Sequence, residues 1–267
     1  MAPPHADVAS LDHAARLLSA SRRVVAFTGA GVSTASGVPD FRSPGGIWSR
    51  YQPVTIQEFV ASEDARRTYW RYKKETYADF AAARPNAAHH ALARMEERGR
   101  LRAVVTQNID GLHQDAGSRV VVELHGTNRR VACLSCALDY PAPIIQDRLL
   151  GGCEVPTCDA CGGILKPATV SFGQALPREV WAEGWRWATS CDLLLVLGSS
   201  LVVHPAAALP AAAASAGAAV VIVNREPTPL DGLATHVLCG ALEEIVPALA
   251  AAADGEAEPR SADAGER

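Results

Sequence analysis

The fold class is decided by residues 29–42, which read Gly-Ala-Gly-Val-Ser-Thr-Ala-Ser-Gly-Val-Pro-Asp-Phe-Arg. They follow the short apolar run Val24-Val25-Ala26-Phe27, which is typical of a buried strand. A strand that leads into Gly-x-Gly indicates an α/β fold that binds the pyrophosphate of a dinucleotide. Gly29 and Gly31 can adopt positive φ, and we expect them to let the backbone N–H groups approach the phosphates closely.

The same segment departs from the pattern of nicotinamide dehydrogenases. Thr34 stands where the third glycine of Gly-x-Gly-x-x-Gly is expected, and no acidic residue follows at the ribose-binding distance of about 20 residues. The segment instead continues into Pro39-Asp40-Phe41-Arg42, which places an aromatic ring and a guanidinium beside the predicted phosphate site. Hydride transfer is therefore a poor fit to this loop.

Two further polar motifs follow predicted strands. Residues 106–113, Thr-Gln-Asn-Ile-Asp-Gly-Leu-His, come after the apolar run 103–105, and His125 follows the run 121–124. Polar side chains at the carboxyl ends of strands lie where open α/β sheets bind ligands, and histidine suits general-base work near neutrality. Taken singly, Asn108 and Asp110 could cap a helix, and His125 could be structural. Three such motifs at three strand ends favour a site.

Four cysteines have the spacing of a metal site. Cys133 and Cys136 form one C-x-x-C pair, and Cys158 and Cys161 form a second pair about 20 residues later. Four thiolates fill a tetrahedral Zn²⁺ site and leave no position for substrate, so we predict one structural zinc per chain. Disulfides are disfavoured because no secretory signal is recognisable and the remaining three cysteines have no obvious partners.

These motifs together resemble the sirtuins, the Sir2-type NAD-dependent protein lysine deacylases, with a bacterial-like pattern. The resemblance extends from about residue 8 to about residue 250. It includes Leu124-His125-Gly126 and also the segments Val170-Ser171-Phe172-Gly173, Gly198-Ser199-Ser200-Leu201, Val203-His204-Pro205 and Val223-Asn224-Arg225-Glu226.

The predicted fold is α/β, a Rossmann-like, doubly wound parallel sheet with a smaller zinc-binding and helical domain formed by two insertions. We expect one catalytic domain over 1–253 and a disordered tail over 254–267. Within the domain we assign the Rossmann part to about 7–44, 85–128 and 167–250, the helical insertion to about 45–84 and the zinc module to about 129–166. Helices are predicted over 7–20, with Val8, Leu11, Leu17 and Leu18 on one face, over 85–98, with Ala88, Leu92 and Met95 facing inward, and over 206–218. Central strands are predicted over 193–197 and 219–223.

The resemblance implies a reaction and a set of residues. In sirtuins the carbonyl oxygen of an acyl-lysine attacks C1′ of the nicotinamide ribose, nicotinamide leaves, and a histidine activates a ribose hydroxyl that takes the acyl group. His125 would be that base, with Asn108 and Asp110 also catalytic. The expected NAD-binding residues are Gly29, Ala30, Gly31, Ser33, Asp40, Phe41, Arg42, Gln107, Asn108, Ile109, Asp110, His125, Gly198, Ser199, Ser200, Asn224, Arg225, Glu226 and Leu242.

Two departures bear on the substrate. Gln174 stands where the family usually has Glu, which removes a charge at the rim of the peptide groove. Sirtuins that prefer succinyl or malonyl groups carry Tyr and Arg three residues apart in the helical insertion, and Trp70 and Lys73 occupy the equivalent positions. We therefore expect acetyl-lysine to be preferred, although packing of Tyr69, Trp70 and Tyr72 is at least as good an interpretation of these rings.

Composition excludes some function classes. The net charge of −4 and the pI near 6.1 do not favour binding to nucleic acid or to an anionic membrane. No apolar run is long enough to span a bilayer, so we expect a cytoplasmic protein whose partners are acylated-lysine proteins or peptides. The oligomeric state stays open. The alternatives are a protein ADP-ribosyltransferase, a deacylase for acidic or longer acyl groups, and a non-catalytic zinc-ribbon module.

Overall fold

A computed structural model of the 267-residue chain describes residues 8–39, 46–47 and 50–255. The predicted cofactor residues Asp40, Phe41 and Arg42 lie outside these described residues, and so does the predicted tail from residue 256 onward. Within the described residues no helix is both long and apolar enough to cross a membrane.

The described residues form nine strands and nine α-helices. The strands are β1 Val24–Thr28, β2 Leu101–Thr106, β3 Val121–Glu123, β4 Gly126–Cys133, β5 Asp139–Pro141, β6 Leu165–Thr169, β7 Leu193–Leu197, β8 Ala219–Asn224 and β9 His236–Cys239. The helices are α1 Val8–Ala20, α2 Ile56–Ala61, α3 Glu63–Ala82, α4 Ala87–Glu97, α5 Leu112–Asp115, α6 Ala142–Leu150, α7 Arg178–Ser190, α8 Leu209–Ser215 and α9 Leu242–Ala253.

A parallel six-stranded sheet forms the larger part of the molecule. Its strand order is β3-β2-β1-β7-β8-β9, and every adjacent pair runs parallel. All five residues of β1 and all five of β7 are buried because helices cover both faces of the sheet. The predicted Rossmann-like parallel sheet is confirmed. The chain leaves β1 towards β2 on one side and returns to β7 on the other, so the strand order reverses between β1 and β7.

The helices agree with the predicted pattern with two differences. Ala88, Leu92 and Met95 of α4 are buried as predicted. Val8 was expected on the inner face of α1, but it is 69% exposed because it lies at the helix start, beyond the edge of the core. The predicted helix over 206–218 is shorter: a 3₁₀ turn at 206–208 precedes α8, since Pro210 lacks an N–H and suits only the first turn of a helix.

The smaller domain is built from both insertions. Strands β5, β4 and β6 form an antiparallel sheet in that order, and α6 packs beside β4. The first insertion supplies α2 and α3. Trp70 of α3 is 2% exposed and packs in one apolar cluster with Ile145, Cys133 and Cys158. Trp70 therefore joins the helical insertion to the cysteine module, as the expected domain of two insertions requires.

Candidate functional site

One large cavity opens where the strand order of the parallel sheet reverses. Its volume is about 630 Å³. Ligands of open α/β sheets bind outside the carboxyl ends of the strands at such a switch point. The predicted site residues that line the cavity are Gly29, Ala30, Gly31, Gln107, Asn108, Ile109, His125, Gly198, Ser199, Ser200, Asn224, Arg225, Glu226 and Leu242.

Gly29 and Gly31 are required for a reason other than the predicted one. Gly29 is extended at φ −130°, and Gly31 is not among the glycines with positive φ, so neither residue uses the positive φ that glycine permits. A Cβ on Gly29 would lie 2.7 Å from the carbonyl oxygen of Gly198, and one on Gly31 would lie 2.8 Å from Gly198 Cα. Close approach of the loops after β1 and β7 therefore demands glycine.

The backbone N–H groups of these glycines hold the two loops together. Gly29 N donates to the Leu197 carbonyl at 3.0 Å, and Gly31 N donates to the Gly198 carbonyl at 2.9 Å. Gly198 itself has φ +63°. The first glycine-rich loop is thus fixed against the β7 loop, and these two donors are already used within the protein.

Ser199 connects the β7 loop to the loop after β2. Its hydroxyl accepts from Gln107 Nε2 at 2.8 Å and from the backbone N–H of Leu201 at 3.3 Å. Leu201 has φ +56°, a conformation that this local bond helps to hold in place. Ser199 thus orders the loop over the middle of the cavity, while Ser200 beside it is exposed on the lining.

His125 follows β3 and lines the cavity. Its Nδ1 lies 3.0 Å from the backbone carbonyl oxygen of Gln107. A carbonyl only accepts, so Nδ1 carries the proton, and Nε2 of the neutral ring carries the lone pair. This arrangement sets the tautomer that a general base needs.

Asp110 and Ser33 lie behind the cavity wall, among buried polar groups, and neither is part of the cavity lining. Ser33 Oγ donates to Asp110 Oδ2 at 2.7 Å and accepts from Asn108 Nδ2 at 3.1 Å. The other Asp110 oxygen accepts from the Leu112 N–H at 2.9 Å, so it also caps α5. Burial raises the pKa of Asp110. Asn108, which does line the cavity, is therefore held from behind by Ser33.

Two histidines, which the sequence reasoning assigned no role, complete this buried cluster. His113 Nε2 lies 2.9 Å from Thr28 Oγ1, and His89 Nε2 lies 3.4 Å from Ser33 Oγ. Their rings are 4.9 Å apart. Burial lowers the pKa of His113 to about 3 and that of His89 to about 4, so both are neutral at physiological pH. Their spacing in the sequence carries no periodic or motif signal that would have paired them.

The far end of the cavity is formed by the loops after β8 and β9. Asn224 Nδ2 donates to the Glu226 carbonyl at 2.7 Å, which fixes the turn that presents Arg225 and Glu226. Gly240 and Leu242 complete this end. These residues therefore lie together at one end of the cavity.

Helix α3 forms one wall of the cavity, but it does not place both Trp70 and Lys73 there. Trp70 packs in the small-domain core and does not line the cavity, because the helix turns it away from Tyr69, Tyr72 and Lys73, which do. Trp70 is thus a packing residue, although it packs within the small domain and not between that domain and the main sheet as the packing interpretation expected. Gln174, at the opposite rim, accepts the Ser171 N–H through Oε1 at 3.1 Å.

The four predicted cysteines come together in the small domain. Their sulfur atoms all lie within 4.8 Å of one another, and the cross-pair separations are 3.5 Å for Cys133–Cys161 and 3.6 Å for Cys136–Cys158. A tetrahedral zinc with Zn–S bonds of about 2.3 Å needs sulfur atoms about 3.8 Å apart. The cluster therefore fits Zn²⁺ with all four positions filled by protein.

Groups around Cys133 and Cys158 favour their thiolate forms. The N–H groups of Ser135 and Cys136 point at Cys133 Sγ at 3.4 and 3.5 Å. The Tyr140 hydroxyl donates to Cys158 Sγ at 3.5 Å and lowers the pKa of that thiol to about 6. Such donors stabilise the metal-binding form of cysteine.

Comparisons with known proteins agree with this geometry. The model of the Sir2 family matches residues 29–205. An NAD-dependent protein deacetylase of Thermodesulfovibrio yellowstonii is 45% identical over 218 residues, which cover 82% of this chain and 85% of that protein. An NAD-dependent protein deacylase 2 of Pyrobaculum aerophilum is 43% identical over 88% of this chain and 92% of its own length.

A solved Sir2 structure with a deacetylated p53 peptide and 3′-O-acetyl-ADP-ribose superposes with a TM-score of 0.84. It is 39% identical, and the match covers 90% of this chain and 97% of that one. The chain therefore belongs to the Sir2 family, the sirtuins, and is an NAD-dependent protein deacylase.

Proposed function

We propose that this deacylase removes acetyl groups from lysine side chains of proteins, transferring them to ADP-ribose with release of nicotinamide. The observation that carries the proposal is the contact between His125 and the Gln107 carbonyl, which keeps the proton on Nδ1, so that Nε2 is the atom of the neutral ring that can accept a proton. The relatives named deacetylases support the choice of acetyl-lysine.

The cavity, at about 630 Å³, has the size of a cofactor site, and NAD is its expected occupant. Bound NAD supplies a nicotinamide–ribose bond that can break at C1′. The residues of this chain bind the cofactor and accept the proton. Nε2 of His125 accepts a proton from a ribose hydroxyl, and the carbonyl oxygen of Gln107 holds the imidazole ring in position. Asn108 recognises a polar group of the nicotinamide half of NAD. The side-chain amide of Asn108 is held in position by Ser33, which is itself bonded to Asp110.

The remaining predicted cofactor residues divide by position. The middle section, where phosphates would lie, is bounded by Gly29, Ala30, Gly31, Gly198, Ser199 and Ser200. Asn224, Arg225, Glu226 and Leu242 bound the adenosine end. We retain Asp40, Phe41 and Arg42 as predicted contacts on the sequence resemblance.

We propose that the cysteine cluster holds one structural zinc. Cys133, Cys136, Cys158 and Cys161 leave no open coordination position, so the metal stabilises the small domain and takes no part in the reaction. The domain limits and the cytoplasmic location given above stay predictions.

A second candidate substrate class is supported by Lys73. A lysine in the cavity wall could attract the carboxylate of a succinyl or malonyl group, although it lacks the planar fork with which Arg holds both oxygens. The discriminating experiment is a panel of one peptide carrying acetyl-, propionyl-, succinyl- or malonyl-lysine, assayed with NAD for nicotinamide release. The proposal expects the highest kcat/KM for the acetyl peptide, and no release with the unmodified peptide.

A further inference from the structure

Lysine is rare in this protein. The chain has 25 Lys and Arg residues, but only Lys73, Lys74 and Lys166 are lysines. Lys166 is 3% exposed in the small domain, with its ammonium bonded to the carbonyls of Pro167 and Thr169. Of the three lysines, Lys73 is the one found among the described residues that line the cavity. In the reaction proposed above, this amine takes part in no bond-making or bond-breaking step.

Among the described residues, no carboxylate pairs with the Lys73 amine. Nζ donates to Asn128 Oδ1 at 2.8 Å and lies 5.6 and 5.2 Å from the ring centres of Tyr69 and Tyr72. No ion pair of the described residues includes Lys73, and the charged group that acts on it is Lys166 on β6.

This environment favours the neutral amine. Burial first, and then the charge of Lys166, lowers the pKa of Lys73 to about 7. Burial raises the pKa of Tyr69 and of Tyr72, so both neighbouring phenols stay neutral and supply no compensating negative charge. Much more of the Lys73 amine is thus unprotonated at neutral pH than for a lysine with the usual pKa of about 10.4. Desolvated lysines of this kind are nucleophiles.

We propose that Lys73 is an acyl acceptor that is acylated by small acyl phosphates entering the cavity. The amine attacks the carbonyl carbon, the new C–N bond forms, and the C–O bond to phosphate breaks. Phosphate leaves with the electron pair, and the amine proton passes to water or to the departing phosphate. No oxidant or reductant is needed.

Anionic acyl donors suit this cavity better than neutral esters. Arg50 lines the same cavity and the charge of Lys166 acts on Lys73, so the local field attracts a phosphate group. Phosphate is also a good leaving group for a weakly basic amine. Acylation converts Lys73 to a neutral amide. The added acyl group lies beside Tyr69 and Tyr72 and narrows the cavity at this point. The deacylase would then respond to the level of activated acyl groups around it.

The test uses acetyl phosphate and the full-length protein with no NAD, so its outcome is independent of deacylase turnover. After quenching and digestion, tandem mass spectrometry compares acetylation of Lys73 with that of Lys74, the matched control next in sequence. We expect at least about tenfold faster labelling of Lys73 in the folded protein, and equal labelling after denaturation. Equal labelling in the folded protein, or faster labelling of Lys74, overturns the proposal.

The variants Asn128→Asp and Asn128→Ser separate nucleophilicity from accessibility. Aspartate keeps the shape but places a carboxylate beside the amine, which raises the Lys73 pKa, so labelling at pH 7 should fall at least about tenfold and recover at higher pH. Serine adds no charge, so its labelling should stay within about threefold of wild type. Unchanged labelling of a folded Asn128→Asp protein contradicts the proposed role of the neutral amine.

Discussion

The Nδ1 atom of His125 lies 3.0 Å from the carbonyl oxygen of Gln107, whose own side chain donates to the Ser199 hydroxyl at 2.8 Å. One residue therefore orients the proposed base and also anchors the loop after β7. The position of the imidazole is tied to the loop that bounds the middle of the cavity. Base orientation and cofactor positioning thus share a common support.

Replacing the base should separate activity from folding. We expect His125→Ala to lower deacetylation by about 100-fold or more, the range of a positioned general base. The exposed His90 on α4 provides a matched control, since His90→Ala should keep near wild-type turnover. Turnover and thermal unfolding are measured for both variants. A folded His125→Ala protein with wild-type turnover would show that another group is the base.

The metal prediction concerns stability. Cys133→Ala should release zinc and lower Tm, since a structural site contributes folding free energy directly. Cys153→Ala is the control, because Cys153 is exposed and is not part of the four-cysteine cluster. Elemental analysis should find about one zinc per wild-type chain and per Cys153→Ala chain. A stable, active and metal-free wild-type protein would exclude the zinc assignment.

Acyl preference should depend on pH through Lys73. Its pKa is lowered to about 7 by burial and by Lys166, so the amine is charged below pH 7 and neutral above it. A succinyl carboxylate is attracted only by the charged form, so the ratio of succinyl to acetyl kcat/KM should fall as the pH rises from 6 to 8.5. Acetyl should remain preferred throughout, because a single ammonium forgoes the bidentate grip of Arg, worth about 1–3 kcal/mol.

The control for this pH effect is Lys73→Met, in which the same ratio should not change over this range. A succinyl peptide that is turned over faster than the acetyl peptide, with the advantage lost in Lys73→Met, would instead establish the acidic-acyl alternative. Lys74→Met, which changes the neighbouring lysine, should behave as wild type in either case.

Buried neutral histidines should make the protein acid-sensitive. The folded-state pKa of His113 is about 3, below the ordinary value of about 6.5. The unfolded chain therefore binds the extra proton first, and the stability from the neutral ring is complete above pH 6.5 and is lost as the pH falls towards 3. Each such histidine contributes a slope of up to about 1.4 kcal/mol per pH unit.

We expect His113→Gln, whose amide can still donate to Thr28, to flatten the dependence of the unfolding free energy on pH between 5 and 6.5. His90→Gln, on the exposed side of α4, should leave that slope unchanged. Urea titrations at several pH values measure both. Parallel slopes in wild type and His113→Gln would mean that His113 is protonated in the folded protein.

The sequence predicts the strands well because they are nearly continuous apolar runs buried on both faces. It also predicts that the four cysteines form one metal site, since two C-x-x-C pairs at this spacing are typical of zinc binding. The glycines at 29 and 31 were explained from the sequence by positive φ, which neither residue adopts. The constraint comes from Gly198, which is far away along the chain, and no local pattern reports such a contact.

Long-range contacts also explain what sequence reasoning missed. His89 and His113 gain their neutral state only from burial in the folded protein. Trp70 and Lys73 are one helical turn apart, yet one packs in the small-domain core and the other lines the cavity. Which of them points to the cavity depends on the rotation of α3 against the cysteine module, which the amphipathic pattern of the helix does not fix.

Identification of the reaction products tests the central claim most directly. Purified protein is incubated with NAD and an acetyl-lysine peptide, and all products are quantified by mass spectrometry. The account predicts nicotinamide, deacetylated peptide and O-acetyl-ADP-ribose in equal amounts. Formation of ADP-ribosylated protein or peptide without O-acetyl-ADP-ribose, or release of free acetate with NAD unconsumed, would contradict it.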